Sequence, residues 1–287
     1  MNPSERLPDF IIIGTMKSGT TSLYEWLVRQ PEVFLPATKE PNFFSRDEVF
    51  RRGTTWYGEL FAPASEDQLA GEASVSYTSP DQCEIAADRM AALVPRGRLI
   101  CLVRHPIDRL RSHYRHQVQR GRERRSFEEA IRDPKANYVA QSLYFRCLKP
   151  YIDRYPKEQI CVVRMEDLSS DPPLAWKQVL EHLGLAVRPR PSGAYNVTGD
   201  KAGFTRVMLW LWESGLYRML MRLPRPLRGL GKPLLLRRDP RYGQLLKQSA
   251  GSVPSDLAHL IWEDISRLER WLERDTAFWD RVETQRS

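Results

Sequence analysis

Residues 10–24 constrain the fold of this 287-residue chain more than any other segment. An apolar run rich in β-branched residues ends at Gly14, and a short loop of small polar residues with one lysine follows it. An amphipathic pattern then begins, with apolar side chains at Leu23 and Leu27. This order predicts a buried strand, a phosphate-binding turn and a helix. Because backbone N–H groups and the positive end of the helix dipole meet at such a turn, we expect an anion site there.

The position of the lysine in this loop argues against one common phosphate-binding motif. A Walker A loop carries its lysine directly after the second glycine, whereas here Lys17 precedes Gly19. Lys17 would therefore meet a bound anion from the mouth of the loop and not from the first residue of the helix. The other candidate phosphate ligands of the loop are Ser18, Gly19, Thr20, Thr21 and Ser22.

A second segment, residues 98–114, joins a buried strand to a basic helix. The strand delivers Arg104 to its carboxyl end, where α/β proteins bind ligands. Arginine can donate two parallel hydrogen bonds to a phosphate, and the hydroxyl of Ser112, about two turns along the helix, can complete the same site. We interpret the other arginines of the segment as a solvated basic face: Arg109, Arg111 and Arg115.

Strand-like and helical stretches alternate along the rest of the chain. Apolar runs at 98–103 and 159–164 predict strands, and helical patterns cover 81–93, 106–119, 143–154, 172–183 and 255–280. Strands separated by helices predict a mostly parallel central sheet flanked by helices, an α/β three-layer sandwich of the P-loop type. Because no convincing linker interrupts the pattern, we expect one domain over residues 1–287, with a helical C-terminal part at 204–287.

Charge and composition narrow the expected partners. The net charge of +8 and the pI of about 9.4 favour an anionic partner. We expect a nucleotide and no nucleic acid, because zinc-finger, RRM-type and helix-turn-helix signatures are lacking. We also expect no metal, since no ligand cluster is visible in the sequence. The four cysteines read as reduced thiols, and neither a secretory signal nor a bilayer-spanning run is evident, so we expect a cytoplasmic protein.

The loop and the pair of Arg104 with Ser112 together resemble the two nucleotide motifs of sulfotransferases that use 3′-phosphoadenosine 5′-phosphosulfate (PAPS). The resemblance is to the heparan-sulfate-type branch and its bacterial relatives. It implies that Lys17 and the residues after it hold the 5′-phosphosulfate, with Lys17 as the catalytic cation. It also implies that Arg104 and Ser112 hold the 3′-phosphate and so distinguish PAPS from ATP.

Three further segments carry the resemblance or depart from it. Residues 39–44 resemble the K-E-x-x-F-F segment, which implies Glu40 as general base; a histidine base, as in cytosolic small-molecule sulfotransferases, stays open as the alternative. The late loop at 195–206 resembles one that closes over the 3′-phosphate and adenine, which implies Lys201 and Arg206 as ligands. Residues 71–77 depart from the pattern at Ala73, where the family has a lysine that helps to hold the acceptor.

The reaction that the resemblance implies is transfer of a sulfonyl group from PAPS to an acceptor hydroxyl or amine. A carbohydrate or a small natural product is the expected acceptor, and 3′-phosphoadenosine 5′-phosphate (PAP) is the nucleotide product. Two alternatives stay open: a P-loop kinase or NTPase, and a non-enzymatic basic protein that binds membranes through residues 204–238. That basic, Leu- and Trp-rich segment fits a membrane surface or an acidic acceptor, and equally a helical cap with a solvated basic face.

Overall fold

A computed structural model describes residues 6–170, 173–191, 242–274 and 276–280 of the chain. In this part the strands form one five-stranded parallel sheet in the order β2-β3-β1-β4-β5. The strands are β1 (Phe10–Gly14), β2 (Val33–Phe34), β3 (Leu69–Ala73), β4 (Arg98–Val103) and β5 (Ile160–Arg164). The predicted mostly parallel sheet is therefore confirmed.

Helices connect the strands and cover both faces of the sheet. Those before β5 are α1 (Thr20–Leu27), α2 (Asp47–Phe50), α3 (Gly53–Glu59), α4 (Cys83–Leu93), α5 (Pro106–Gln119), α6 (Phe127–Arg132) and α7 (Tyr144–Ile152). Those after it, among the described residues, are α8 (Met165–Ser169), α9 (Leu174–Leu183), α10 (Tyr242–Gln248) and α11 (Ser255–Trp271).

The two-residue period of the strands divides the core into two layers. In β1, Ile11 and Ile13 enter the larger hydrophobic cluster, whereas Phe10 and Ile12 enter the smaller one. The larger cluster lies under α4, α5, α7 and α11, and the smaller one under α1 and α9. Because each apolar strand is buried on both faces, the sequence shows it as a continuous apolar run and not as an alternation. This arrangement confirms the three-layer sandwich.

Two element predictions differ from the structure. The C-terminal helix was expected to run to residue 280 but ends at Trp271, because the chain turns back to bury Phe278 and Trp279 in the larger cluster. The Glu269 carboxylate accepts the Phe278 N–H at 2.6 Å and fixes that turn. Residues 33–46, for which no strand is predicted from the sequence, contribute the short edge strand β2.

The described part of the C-terminal region packs on the same core. The Asp264 carboxylate on α11 accepts the N–H groups of Phe145 and Arg146, at 2.8 and 3.0 Å, and so caps α7. After α10, the Ser249 Oγ accepts the Arg115 Nε–H of α5 at 2.6 Å. Residues 204–238, with their predicted cap or membrane surface, lie outside the described residues.

Candidate active site

The loop between β1 and α1 is tied to the neighbouring strand before any ligand is considered. The Thr15 N–H and Oγ1–H donate to the Leu102 carbonyl of β4 at 2.8 and 2.9 Å. Thr15 Oγ1 also lies 2.6 Å from Ser18 Oγ, and the Ser18 N–H donates to the Thr15 carbonyl at 3.2 Å. The hydroxyl and the backbone N–H of Ser18 thus form hydrogen bonds within the loop and help to fix its conformation.

Backbone conformation gives the loop its tight curvature. Lys17 and Gly19 have positive φ angles of 70° and 87°, in the left-handed region that favours glycine. Gly14, at the end of β1, has a φ of 151°, and a Cβ there would lie 2.0 Å from Thr78 Oγ1. Only glycine therefore fits where the strand leads into the loop.

The start of α1 lies where the sequence predicts an anion site. Gly19 precedes the helix and has no side chain to cap it, so the first N–H groups of the helix find no side-chain acceptor on the cap residue. Thr20 is buried at this end, and Thr21 is half-buried beside it. Ser22 donates its N–H to the Gly19 carbonyl at 3.0 Å and so belongs to the first helical turn.

Lys39 is a site residue that the sequence reasoning missed. Its Nζ donates to Thr21 Oγ1 at 2.6 Å and lies 5.6 Å from the ring centre of Tyr24. Burial lowers the pKa of Lys39, while the negative charge of Glu40 acts in the opposite direction. A second cation therefore stands at the start of α1. Its position next to Glu40 in the sequence was the signal that could have found it.

Arg104 lies beside the loop because β4 is the parallel neighbour of β1. The Tyr144 hydroxyl donates to the Arg104 carbonyl at 2.7 Å, and the His105 N–H donates to the Glu166 carboxylate at 2.8 Å. The backbone at the end of β4 is thus held on both sides. Ser112 lies buried on α5, the helix that starts two residues after Arg104.

The interpretation of Arg109 as part of an exposed basic face is wrong. Arg109 is 0% exposed, because α5 turns this side toward the segment that precedes α7. Its guanidinium donates to Ser142 Oγ at 2.8 Å, to Gln141 Oε1 at 3.4 Å and to the Tyr138 carbonyl. Burial lowers the pKa of Arg109 to about 10, so the group stays charged at neutral pH.

His113, also on α5, is buried among positive charges that include Lys17 of the loop. Burial lowers the pKa of His113 to about 2, and the positive charges of Arg109, His116 and Lys17 act in the same direction. His113 is therefore neutral at pH 7. Of the remaining arginines on this helix, Arg115 is exposed, as the sequence interpretation expects.

Glu40 lies at the same edge of the sheet as the loop. Its N–H donates to the Ala73 carbonyl, at the end of β3, at 3.1 Å. Its φ angle of 57° is left-handed, and its side chain is half-buried. Since β1 lies between β3 and β4, the loop stands between Glu40 on one side and Arg104 on the other.

The structure brings most of the predicted site residues to one edge of the sheet. Glu40 lies against the carboxyl end of β3, the loop with Lys17 follows β1, and Arg104 follows β4, and these strands are neighbours in that order. Lys201 and Arg206 lie outside the described residues. In the described ranges, no group of three or more His, Cys, Asp and Glu side chains is arranged to hold a metal ion. In the same ranges no helix is both long and apolar enough to cross a bilayer.

Comparison with known proteins gives the relationship of the chain. It is 33% identical over 203 residues to the human bifunctional heparan sulfate N-deacetylase/N-sulfotransferase 3, covering 63% of this chain and 23% of that protein. It is also 33% identical over 190 residues to the mouse heparan sulfate glucosamine 3-O-sulfotransferase 3A1, covering 63% and 47%. The chain thus spans less than half the length of either curated relative.

Solved structures agree on the fold. A sulfotransferase from Alicyclobacillus acidocaldarius superposes with a TM-score of 0.64 at 25% identity, covering 96% of this chain and 99% of that one. The sulfotransferase domain from the curacin biosynthetic pathway shares the fold, with a TM-score of 0.51 at 17% identity over 92% of this chain and 98% of its own. The family model of the sulfotransferase domain matches residues 7–191, which include the loop, Glu40, Arg104 and Ser112. The chain belongs to the sulfotransferase domain family.

Proposed function

We propose that this protein transfers a sulfonyl group from PAPS to an acceptor hydroxyl. The observation that carries the proposal is the order of groups along one sheet edge: a carboxylate, a cationic phosphate loop and an arginine at neighbouring strand ends. A donor with two separate phosphate groups needs two anion sites, and the loop and Arg104 supply them. The family assignment favours this interpretation over a P-loop kinase or a non-enzymatic membrane-binding protein.

The loop fits a 5′-phosphosulfate through backbone groups and cations. The left-handed Lys17 and Gly19 curve the chain so that the first N–H groups of α1 converge, and a helix start favours an anion. Thr20 and Thr21 supply hydroxyls at the same turn. Lys39, hydrogen-bonded to Thr21, adds a second positive charge there.

Arg104 and Ser112 are proposed to hold the 3′-phosphate. An arginine can bind a phosphate with two parallel hydrogen bonds, and a neighbouring hydroxyl adds a third. The buried charge of Arg109 stands behind this region and is bonded to neutral oxygens of Ser142, Gln141 and Tyr138. A bound phosphate would balance that positive charge, and an uncharged ligand would not.

The proposed reaction is an in-line displacement at sulfur. The acceptor oxygen forms a new S–O bond while the bond between sulfur and the bridging oxygen of the donor breaks, which leaves PAP. Glu40 takes the proton of the acceptor hydroxyl, and Lys17 stabilises the charge that develops on the leaving oxygen. Phosphoryl transfer is the nearest analogy, since positioning and charge stabilisation carry most of the catalysis there as well.

A carbohydrate or a small natural product is the proposed acceptor. Two curated relatives carry heparan sulfate in their names, which supports a carbohydrate. Ala73 is buried next to the Glu40 backbone and carries no charge, so this chain lacks at that position the lysine expected from the family pattern. We therefore favour an acceptor that is less anionic than a sulfated glycan.

Other expectations stay predictions. These are the single domain over residues 1–287, the cytoplasmic location, the lack of nucleic-acid and metal partners, and the roles of Ser22, Lys201 and Arg206. The packing of α10 and α11 on the common core supports the single domain.

The test is an acceptor screen with ³⁵S-labelled PAPS. The wild type should label a hydroxyl compound, and Lys17→Ala should lose that activity by a factor of about 10² or more, as when a charged transition-state contact is removed. Lys177→Ala, which removes an exposed lysine on α9, is the matched control and should keep the wild-type rate. Full activity of Lys17→Ala would show that the loop is wrongly assigned.

Glu40 needs a separate readout. Glu40→Gln should lower kcat while the dissociation constant for PAP stays unchanged, because a general base acts on the acceptor and not on the nucleotide. Glu59→Gln, at an exposed position on α3, controls for the loss of one carboxylate. A loss of PAP affinity in Glu40→Gln would indicate a structural role instead, and the histidine alternative would then be tested.

A further inference from the structure

A fully buried carboxylate, Glu72 on β3, has no part in the reaction proposed above. Three hydroxyl groups donate to it: Tyr57 Oη at 3.0 Å, Ser74 Oγ at 2.8 Å and Tyr77 Oη. Glu72 is 0% exposed and two residues away from Ser74 in the strand and its continuation. Burying a carboxylate raises the free energy of the folded state unless its oxygens accept hydrogen bonds. The presence of Glu72 in the core therefore needs a physical explanation.

One of these three donors links Glu72 to the segment that carries the proposed base. Ser74 Oγ accepts the N–H of Asn42 at 3.1 Å while its own hydrogen goes to Glu72. The Asn42 side chain in turn donates from Nδ2 to the Glu40 carbonyl at 2.6 Å. A continuous hydrogen-bonded path therefore runs from the Glu72 carboxylate through Ser74 and Asn42 to the Glu40 backbone.

The segment at the end of this path has an unusual backbone. Glu40 and Asn42 both have left-handed φ angles, 57° and 55°, on either side of Pro41. Asparagine tolerates this region, but a glutamate adopts it only when its surroundings impose it. The imposed contacts are the bond from Glu40 N–H to the Ala73 carbonyl and the bonds that hold Asn42.

The direction of the Ser74 hydroxyl depends on Glu72. A serine hydroxyl has one hydrogen to donate, and Glu72 Oε2 accepts it at 2.8 Å. Glu72 thus draws the hydrogen toward itself and leaves a lone pair of Ser74 Oγ for the Asn42 N–H. A second contact steadies the same residue, since Ser76 Oγ donates to Asn42 Oδ1 at 2.5 Å.

We propose that Glu72, acting through Ser74 and Asn42, is a positioning residue that fixes the backbone from which the Glu40 side chain reaches the acceptor. This inference rests on the proposed function, in which Glu40 is the general base. Displacement of a catalytic group by about 1 Å can cost about 10²-fold in rate. The role predicts that damage to the path lowers kcat and spares nucleotide binding.

The test compares variants that each remove a different hydroxyl donor to the Glu72 carboxylate. Ser74→Ala removes the link to Asn42, and Tyr57→Phe removes a donor to Glu72 that has no bond to residues 40–42. We expect Ser74→Ala to lower kcat at least about 10-fold with the PAP dissociation constant unchanged. Tyr57→Phe should leave kcat close to the wild-type value, because the bonds from Ser74 to Glu72 and from Asn42 to Ser74 stay in place.

A double-mutant cycle separates positioning from general destabilisation. In a Glu40→Gln background, Ser74→Ala should cause no further fall in kcat, because the group that it positions is already disabled. A further fall of the full size would overturn the proposal. Asn42→Gly keeps the left-handed backbone accessible while it removes the side-chain bonds, so it serves if Ser74→Ala does not fold, and its kcat should fall as well.

The outcomes distinguish this inference from the proposed function. If Glu40→Gln keeps the wild-type kcat, the assignment of the base is wrong and the positioning role falls with it. If Glu40→Gln is slow while Ser74→Ala and Asn42→Gly are both as fast as the wild type, only the positioning role is wrong. An equal loss in Tyr57→Phe and Ser74→Ala would also overturn it.

Discussion

The buried carboxylate Glu72 predicts a specific pH dependence of stability. Burial raises the pKa of Glu72 from 4.5 to about 7, against the opposing hydrogen bonds from Tyr77, Ser74 and Tyr57, and the negative charge of Glu40 raises it slightly further. Between pH 4.5 and about 7 the folded protein holds a proton on Glu72 that the unfolded chain has lost. The contribution of Glu72 to stability is therefore fully present below pH 4.5 and is lost as the pH rises through about 7.

The size of this effect follows from the two pKa values. One pKa unit corresponds to about 1.4 kcal/mol, so the step from 4.5 to about 7 amounts to about 3 kcal/mol in the free energy of unfolding. Glu72→Gln removes the titrating group and keeps its volume. The stability of the variant relative to the wild type should therefore increase by about 3 kcal/mol between pH 4.5 and 7 and stay constant above that range.

Urea unfolding at closely spaced pH values from 4.5 to 8.5 measures this difference. Other titrating groups, such as the neutral buried His113, contribute equally to both proteins and cancel. Glu59→Gln, at an exposed position, is the control for the loss of one carboxylate. A difference between wild type and Glu72→Gln that is the same at every pH, or that changes in the opposite direction, would refute the reasoning.

Two further predictions concern the loop and the helix beside it. Gly14→Ala should destabilise the protein by more than the control Gly53→Ala, because both glycines have positive φ angles but only a Cβ at Gly14 meets Thr78. In urea unfolding the control should lose about 1 kcal/mol of stability. Equal losses in the two variants would contradict the close contact. Arg109→Met should cost about 3 kcal/mol, since buried hydrogen-bond acceptors lose a charged donor. It should also weaken PAP binding in a titration, whereas Arg96→Met, at an exposed position before β4, should change neither quantity by a comparable amount.

Local sequence patterns were sufficient to predict individual strands, loops and helix starts. The run that became β1, the loop after it and the Pro106 start of α5 were all readable, because burial on both faces, small loop residues and a helix-opening proline leave clear signals. The same patterns placed Arg104 at a candidate position, whereas Glu40 followed from the resemblance of residues 39–44 to the sulfotransferase segment. The structure then brought those positions to one sheet edge.

Contacts between distant segments were not readable in the same way. The sequence pattern assigns Arg109 to a basic helix face, and only the fold brings Ser142, 33 residues later, to its guanidinium. Lys39 reaches Thr21 across 18 residues for the same reason. The Tyr57 hydroxyl reaches Glu72 from a helix 15 residues earlier, and the Asn42 N–H reaches Ser74 across 32 residues, which no local periodicity encodes.

The central claim is that the chain holds two phosphate groups of one nucleotide at two sites, the loop and Arg104 with Ser112. Isothermal titration of PAP and of adenosine 5′-phosphate, which lacks the 3′-phosphate, tests it directly. We predict that the wild type binds PAP about 10²-fold more tightly, as expected for charged hydrogen bonds to one phosphate, and that Arg104→Ala nearly abolishes this preference. Equal affinity of the wild type for both nucleotides, or an unchanged preference in Arg104→Ala, would contradict the account.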